Sequence, residues 1–220
     1  MLGLGGKGRL VVHHLNDSRS QRVLWMLEEL GLDYEIVAYQ RDAATRLAPP
    51  ELKAVHPLGK SPVLQDGKRT IAESAAILDY LVRRHGKGRF APPQDTPAYD
   101  DYVHWMHYPE GSAMLPVMTH MYALRLGEAA APIRPRIDSE FANHLGYIDQ
   151  ALQGRAYLVG DGLTAADVQI SFVLEAARAF GKLADYPDAA AYLDRLEARP
   201  AFQRALQKGG PYSLGPPAQA

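Results

Sequence analysis

The stretch Gly59-Lys60-Ser61-Pro62-Val63-Leu64 is followed, after a short hairpin, by Ile71-Ala72-Glu73-Ser74. The pattern predicts a loop, a proline that opens a strand, a tight turn at Asp66-Gly67, a second strand and the start of a helix. Because proline has no N–H for a sheet ladder, we expect neighbouring backbone groups to be available to an extended peptide. Glu73 and Ser74 lie where a helix N-terminus favours a carboxylate. The two features together predict a pocket for a small peptide.

The segments around this stretch predict a small α/β domain over residues 9–86. Residues 10–13 and 34–37 have the composition of strands, and the apolar helical stripe between them stops at Gly31. A strand, a helix and a strand at this spacing indicate a parallel crossover. With the hairpin and a helix from residue 73 to about 85, the predicted order is β-α-β-α-β-β-α.

The second half of the chain predicts an all-helical domain over residues 96–208. Residues 86–97 are rich in Gly, Pro and charge, which is typical of a link. Thr96-Pro97 predicts the start of a long helix, which we expect Pro109 and Pro116 to kink or break. Further helices are predicted over about 133–152, 164–180 and 187–206.

Composition excludes several classes of function. The chain has 220 residues, and its 24 basic and 25 acidic side chains give a net charge of -1, so no nucleic-acid surface is expected. Cysteine is absent, which excludes disulfides, thiolate metal sites and a cysteine nucleophile. His13-His14, His104 and His107 lack a further ligand at zinc spacing, so we expect no metal. No apolar run approaches the roughly 20 residues of a membrane span, and residues 1–9 lack a signal-peptide core, so we expect a cytoplasmic protein.

Several motifs in the correct order resemble those of cytosolic glutathione S-transferases, of the bacterial and fungal general type. They are Ser18-Arg19-Ser20-Gln21-Arg22-Val23, the 59–64 stretch, Glu73-Ser74, a capping box at Thr164-Ala165-Ala166-Asp167, and Arg199-Pro200-Ala201-Phe202. The resemblance covers roughly residues 10–207. It implies a thioredoxin-like domain followed by an all-helical domain, glutathione as co-substrate, an apolar electrophile as second substrate, and a homodimer.

The resemblance also implies roles for the residues of the peptide pocket. Carried over by position, Pro62 is the cis-proline, and Ser61 pairs through its backbone with the cysteinyl unit of glutathione. Glu73 and Ser74 hold the γ-glutamyl end, and Lys60 is placed for the glycine carboxylate. Two weaker candidates for that carboxylate are Lys53 and His56.

The thiol of glutathione needs a residue that stabilises its ionised form. A free thiol with a pKa of about 8.5 is only about 3% ionised at pH 7, and lowering that pKa by about two units takes roughly 2.7 kcal/mol. One hydrogen bond to a charged acceptor contributes about 1.5–3 kcal/mol. Tyr-using family members carry a tyrosine where this chain has His13-His14, whereas Ser-using members place a hydroxyl that matches Ser18. We therefore predict Ser18 as the donor, with Asn16 and Ser20 as alternatives and Arg19 as a source of charge; the competing interpretation makes Ser18 only a helix N-cap.

Aromatic and methionine side chains on the first long helix of the second domain suggest the second-substrate pocket. In the family this helix faces the thiol, which implies that Trp105, Tyr108 and Met114 line a pocket for the electrophile; the alternative is ordinary core. Two other functions stay open: glutathione-dependent peroxide reduction in the same site, and a non-catalytic glutathione-binding or assembly module.

Overall fold

The computed structural model describes residues 9–210 and 212–214. The expectation that residues 1–9 lack a signal-peptide core therefore falls almost wholly outside the described residues. The contacts within the structure divide the chain into two compact units. Among the described residues, the first unit ends at Lys87 and also includes residues 200–210 and 212, and the second runs from Gly88 to Arg199. None of the helices in the described ranges is long and apolar enough to cross a membrane.

The first unit contains a four-stranded sheet in the predicted order of elements. These elements are β1 (Leu10–Leu15), α1 (Ser20–Leu30), β2 (Tyr34–Tyr39), α2 (Leu52–Val55), β3 (Val63–Asp66), β4 (Arg69–Ala72) and α3 (Ser74–His85). The strand order is β2-β1-β3-β4, with β1 parallel to β2 and antiparallel to β3. The predicted thioredoxin-like arrangement is confirmed. The chain crosses from β1 through α1, which ends at Gly31, and returns as β2, so β1 and β2 are parallel.

The remaining regular elements of the described chain are helices. They are α4 (Pro97–Tyr108), α5 (Met114–Leu126), α6 (Arg134–Leu152), α7 (Ala165–Ala179), α8 (Pro187–Glu197) and α9 (Pro200–Gly209). A π-helical segment, Pro109–Ala113, joins α4 to α5, so the irregularity expected at Pro109 is present. Pro116 lies in the first turn of α5, directly after this π-helical segment, and the helix continues past it.

The predicted continuous helix over residues 187–206 is wrong. Residues 198 and 199 separate α8 from α9, because Pro200 cannot donate to the preceding turn and instead opens a new helix. The predicted range of the helical domain, 96–208, therefore includes a helix that groups with the first unit.

Helix α9 packs on α1 through one aromatic contact and one carboxylate. Trp25 and Phe202 meet edge to face, with ring centroids 5.2 Å apart. The buried Glu28 accepts bonds from Arg204 Nε at 2.9 Å and from Lys208 Nζ. Burial alone raises the pKa of Glu28, but the bonds from Lys208 and Arg204 outweigh it and lower the pKa below its ordinary value. Glu28 is thus held as a carboxylate that fixes the end of α9.

The second unit is organised around the predicted capping box. Asp167, at the N3 position of α7, accepts bonds from the N–H and hydroxyl of Thr164, and both halves of the box are formed. The same carboxylate also accepts the Leu158 N–H at 3.0 Å and the Tyr192 hydroxyl at 2.6 Å. This network ties a loop and α8 to the start of α7.

Candidate glutathione site

The loop before β3 is attached to the end of β1 by a serine side chain. Ser61 Oγ donates to the His13 carbonyl at 2.8 Å and accepts the Leu15 N–H at 3.1 Å. The Ser61–Pro62 peptide bond is cis, as expected. The side chain of Ser61 therefore holds the loop to β1, and the prediction that this residue pairs with a peptide concerns its backbone.

A close approach to Gly59 brings the Lys53 side chain of α2 onto the loop that carries Lys60. Gly59 has φ +58°, and its N–H donates to the His56 carbonyl at 2.8 Å. A Cβ added at Gly59 would lie 2.8 Å from Cγ of Lys53, so the Lys53 side chain crosses directly over this glycine. Lys60 is exposed beside it. The structure thus brings Lys53, one of the weaker candidates for the glycine carboxylate, close to the segment of Lys60.

The residues predicted to hold the γ-glutamyl end stand at the N-terminus of α3. Glu73 is exposed and has φ +71°, a conformation that costs a non-glycine residue free energy. Ser74 is buried and its Oγ accepts a bond from Arg22 Nη1 at 3.2 Å. The buried guanidinium and the positive end of the helix together favour an anion at this point.

Arg22 was missed as a site residue by the sequence reasoning, which quoted it only as part of a motif. It is 1% exposed and lies on a helix whose other buried side chains are mostly apolar. A charged residue within an apolar stripe was the available signal, since a buried arginine requires a polar partner. That partner, Ser74, lies 52 residues further along the chain and could not be identified from spacing.

Ser18 lies in a chain of buried hydrogen bonds. Its Oγ is 2.7 Å from Ser20 Oγ and accepts the Ser20 N–H at 3.2 Å. Ser20 Oγ is in turn 2.7 Å from His14 Nδ1. Arg19 directly precedes α1 and has no side-chain cap, but the bond from the Ser20 N–H to Ser18 Oγ is of the capping type, so the alternative in which Ser18 caps this helix stays open. All three side chains, Ser18, Ser20 and His14, are buried.

The far end of this chain is the C-terminus of α9. His14 Nε2 bonds to the Gly209 carbonyl at 3.0 Å. Burial lowers the pKa of His14, and the bond to Gly209 opposes part of that effect. A Cβ at Gly209 would lie 2.5 Å from Leu24 Cδ1 and 3.3 Å from His14 Cε1, so only glycine fits here without a shift.

Asn16 orders the loop that follows β1. Its side-chain oxygen accepts the Arg41 N–H at 2.8 Å, and its amide donates to Asp17 at 3.0 Å. Asp17 has φ +49° and pairs with Arg46. The Asn16 side chain therefore orders this loop, and Asn16 stays a predicted alternative to Ser18 as the thiol partner.

The three residues predicted for the electrophile pocket have different exposures. Trp105 and Met114 are buried, whereas Tyr108 is half-buried. The Tyr108 hydroxyl is 2.7 Å from His144 Nδ1, and burial, followed by the nearby Tyr147, raises its pKa. Trp105 stacks on Tyr147 with ring centroids 5.4 Å apart. Tyr108 is the member of the three that offers a polar group beside accessible aromatic surface.

The histidines considered as metal ligands have separate partners. His13 bonds to the Tyr39 hydroxyl at 2.9 Å, and His104 bonds to the Tyr147 hydroxyl at 3.0 Å. Within residues 9–210 and 212–214, no group of three or more His, Cys, Asp or Glu side chains is placed to hold a metal ion.

Comparison with known proteins identifies similar chains for both halves. The model of the glutathione S-transferase N-terminal domain matches residues 10–83, and a model of the C-terminal domain matches residues 116–209. Glutathione S-transferase 3 of Schizosaccharomyces pombe is 37% identical over 214 residues, which cover 90% of this chain and 87% of that protein. A crystal structure of a glutathione S-transferase from Actinobacillus pleuropneumoniae has a TM-score of 0.82 and 36% identity, and covers 96% of this chain and 97% of its own. A sphingomonad glutathione S-transferase complexed with glutathione has a TM-score of 0.75 and 25% identity, over 91% of this chain and 98% of its own.

Proposed function

Because this chain belongs to the glutathione S-transferase family, we propose that it joins the thiolate sulfur of glutathione to apolar electrophiles. The protein is a glutathione transferase, with glutathione as co-substrate. The observation that carries the proposed chemistry is the buried Ser18 hydroxyl at the start of α1, in the same unit as Ser61 and Ser74. A hydroxyl at a helix N-terminus supports negative charge on sulfur through both its hydrogen bond and the helix dipole.

Glutathione is proposed to bind as an extended peptide along the Ser61 backbone. Its α-carboxylate meets the N-terminus of α3 at Ser74, supported by Arg22, and its ammonium group meets the Glu73 carboxylate. Its glycine carboxylate is proposed to lie at Lys60 and Lys53. Opposite charges at each end fix the peptide direction, which brings the sulfur towards Ser18.

Two substitutions of Glu73 are expected to distinguish its part in glutathione binding from the strain of its backbone conformation. Glu73→Gln should raise KM for glutathione by about two- to fivefold, because an exposed ion pair with the ammonium is replaced by a neutral contact. Glu73→Gly should raise KM similarly, yet also increase the free energy of unfolding by up to about 1 kcal/mol, since glycine adopts φ +71° without strain. Steady-state kinetics and urea denaturation measure the two effects. Unchanged KM in both variants would remove Glu73 from the site.

Two measurements on the unmodified protein test the function itself. Isothermal calorimetry is expected to give heat with glutathione at millimolar concentration, and a chlorinated aromatic acceptor is expected to be conjugated. Cumene hydroperoxide, assayed in parallel, distinguishes peroxide reduction in the same site. Binding without turnover on a broad electrophile panel would favour the non-catalytic module instead.

The electrophile is proposed to contact Tyr108, with the buried Trp105 and Met114 as the other residues of this pocket. Methionine and aromatic side chains adapt to apolar rings of varied shape, which suits a transferase of broad acceptance. A crystal grown with the glutathione conjugate of a chlorinated aromatic tests this: the aryl ring is expected against Tyr108, and a ring bound elsewhere would refute the assignment.

We also propose that the protein is a homodimer that uses the exposed apolar face of α5. Leu115, Tyr122 and Leu126 are more than half exposed and share one helical face by their spacing. The double substitution Leu115→Lys, Leu126→Lys is expected to yield a monomer of about half the parent mass in analytical ultracentrifugation, because it places two charges in the interface. Leu47→Lys is the matched control, since Leu47 is also 62% exposed but lies in the first unit. A double variant with the parent's mass would contradict this surface.

A cytoplasmic location and a role in detoxification are proposed from the family. Cell fractionation tests the first. For the second, a strain that lacks the protein is expected to become more sensitive to a chlorinated aromatic electrophile. Unchanged sensitivity would argue against that role.

A further inference from the structure

A continuous polar chain runs inward from the proposed thiol site. It consists of Ser18, Ser20, His14 and the Gly209 carbonyl, and is called the relay below. Its contacts are Ser18 Oγ to Ser20 Oγ at 2.7 Å, Ser20 Oγ to His14 Nδ1 at 2.7 Å, and His14 Nε2 to Gly209 O at 3.0 Å. The side chains are 0–5% exposed, so water has little access to any step.

The direction of every proton in the relay follows from its inner end. A carbonyl only accepts, so His14 must carry a hydrogen on Nε2. In the neutral ring Nδ1 is then an acceptor, and Ser20 Oγ donates to it at 2.7 Å in preference to its longer contact with the Leu15 carbonyl at 3.3 Å. Because the Ser20 proton is used in this bond, the hydrogen between the two serines comes from Ser18, so Ser18 donates to Ser20. Because Ser18 Oγ also accepts the Ser20 N–H, one lone pair of this oxygen is left for a ligand.

A hydroxyl that donates inward does not offer a hydrogen to a thiolate, but it can accept one from a thiol. We propose that the relay carries the thiol proton of bound glutathione to His14, an inference that rests on the proposed function. The S–H proton passes to Ser18 Oγ, the Ser18 proton passes to Ser20 Oγ, and the Ser20 proton passes to His14 Nδ1. The products are a thiolate and a His14 imidazolium, with no other reactant consumed.

The transfer reverses all the hydrogen bonds at once. His14 then donates to Ser20, Ser20 donates to Ser18, and Ser18 donates to the sulfur anion, so the thiolate receives the hydroxyl bond that a Ser-using transferase requires. The same displacement therefore removes the proton and creates the stabilising donor.

The surroundings of His14 allow the imidazolium without a competing charge. Burial lowers the pKa of His14, and the bond to Gly209 O opposes part of that effect by favouring the charged ring; no charged side chain among the described residues contributes to this pKa. The residues that bond to or pair with His14 are neutral: Ser20 on α1, Ala38 opposite it on β2, and Gly209 on α9. Lys208 precedes Gly209 but directs its amino group to Glu28. The new thiolate is thus the counter-charge available to the ring.

Two pairs of variants test the relay in the full-length protein with glutathione itself. His14→Asn retains an acceptor near the position of Nδ1 but cannot take up a proton, and Ser20→Ala removes the middle carrier. Each is expected to move the pH titration of the bound thiolate, followed by its ultraviolet absorbance, upward by about one unit or more, with the Kd for protonated glutathione unchanged. Because a shift of about one unit leaves about tenfold less thiolate at neutral pH, kcat/KM should fall there by about tenfold as well.

The controls separate this chemistry from structural damage. Ser20→Thr keeps the hydroxyl and is expected to restore the parent titration, whereas a purely structural defect would not be rescued. His120→Asn alters another partly buried histidine, in the second unit, and should leave the titration unchanged. If circular dichroism shows that His14→Asn does not fold, the comparison of Ser20→Ala with Ser20→Thr tests the relay instead.

The relay is overturned if folded His14→Asn or Ser20→Ala binds glutathione and titrates its thiolate as the parent does. That result leaves the proposed function intact. A parent protein that gives neither heat nor a thiolate band with glutathione would instead refute the proposed function.

Discussion

Ser18→Ala is expected to lower kcat/KM for conjugation of glutathione to a chlorinated aromatic acceptor by roughly 10- to 100-fold. A hydrogen bond to a charged acceptor contributes about 1.5–3 kcal/mol, and its loss leaves less of the bound glutathione as thiolate at neutral pH. Because the bond forms to the sulfur anion, the calorimetric Kd measured at low pH, where the thiol is protonated, should change little. Stopped-flow or steady-state kinetics at pH 7 measure the loss.

The matched control is Ser171→Ala, which removes another buried serine hydroxyl. Ser171 Oγ donates to the Val168 carbonyl at 3.1 Å within α7, in the second unit. Its removal should leave conjugation unchanged. If Ser18→Ala keeps parent activity and Asn16→Ala loses it, the thiol partner is Asn16 and the present assignment of Ser18 is incorrect.

Asp167→Ala is expected to reduce the free energy of unfolding by about 3–4 kcal/mol. The substitution removes a carboxylate that accepts four hydrogen bonds, and it leaves the buried N–H groups of Leu158 and Thr164 and the hydroxyl of Tyr192 to find new partners. Each buried donor without a partner costs about 1–3 kcal/mol, partly recovered by relaxation. Chemical denaturation followed by circular dichroism measures the change.

Asp100→Ala is the control for this prediction. Asp100 is an exposed carboxylate in the first turn of α4, so it shares the helix-dipole term with Asp167 but not the buried network. Its loss should cost no more than about 0.5–1 kcal/mol. Equal effects of the two substitutions would show that the network adds nothing to the capping charge.

Local chemistry made several elements predictable from the sequence. The capping box from Thr164 to Asp167, the Pro97 helix start and the Gly31 helix end each depend on neighbours within a few residues, and all are present in the structure. The order of strands and helices in the first unit followed in the same way, because periodicity and turn residues are local signals.

Tertiary contacts explain what the sequence did not reveal. Helix α9 was placed with the helical domain because nothing near Pro200 indicates that Arg204 and Lys208 reach Glu28, about 180 positions away. The role of His14 was hidden for a related reason. Neighbouring strand residues point to opposite faces, so His13 meets Tyr39 while His14 meets α1 and α9, and only the folded sheet decides which is which.

The most direct test of the central claim is a crystal structure of the protein with bound glutathione. We expect the sulfur within hydrogen-bond reach of Ser18 Oγ, the cysteinyl backbone along Ser61, and the γ-glutamyl group at Glu73 and Ser74. A sulfur that instead lies against Asn16, or a tripeptide bound away from Ser61, would contradict it.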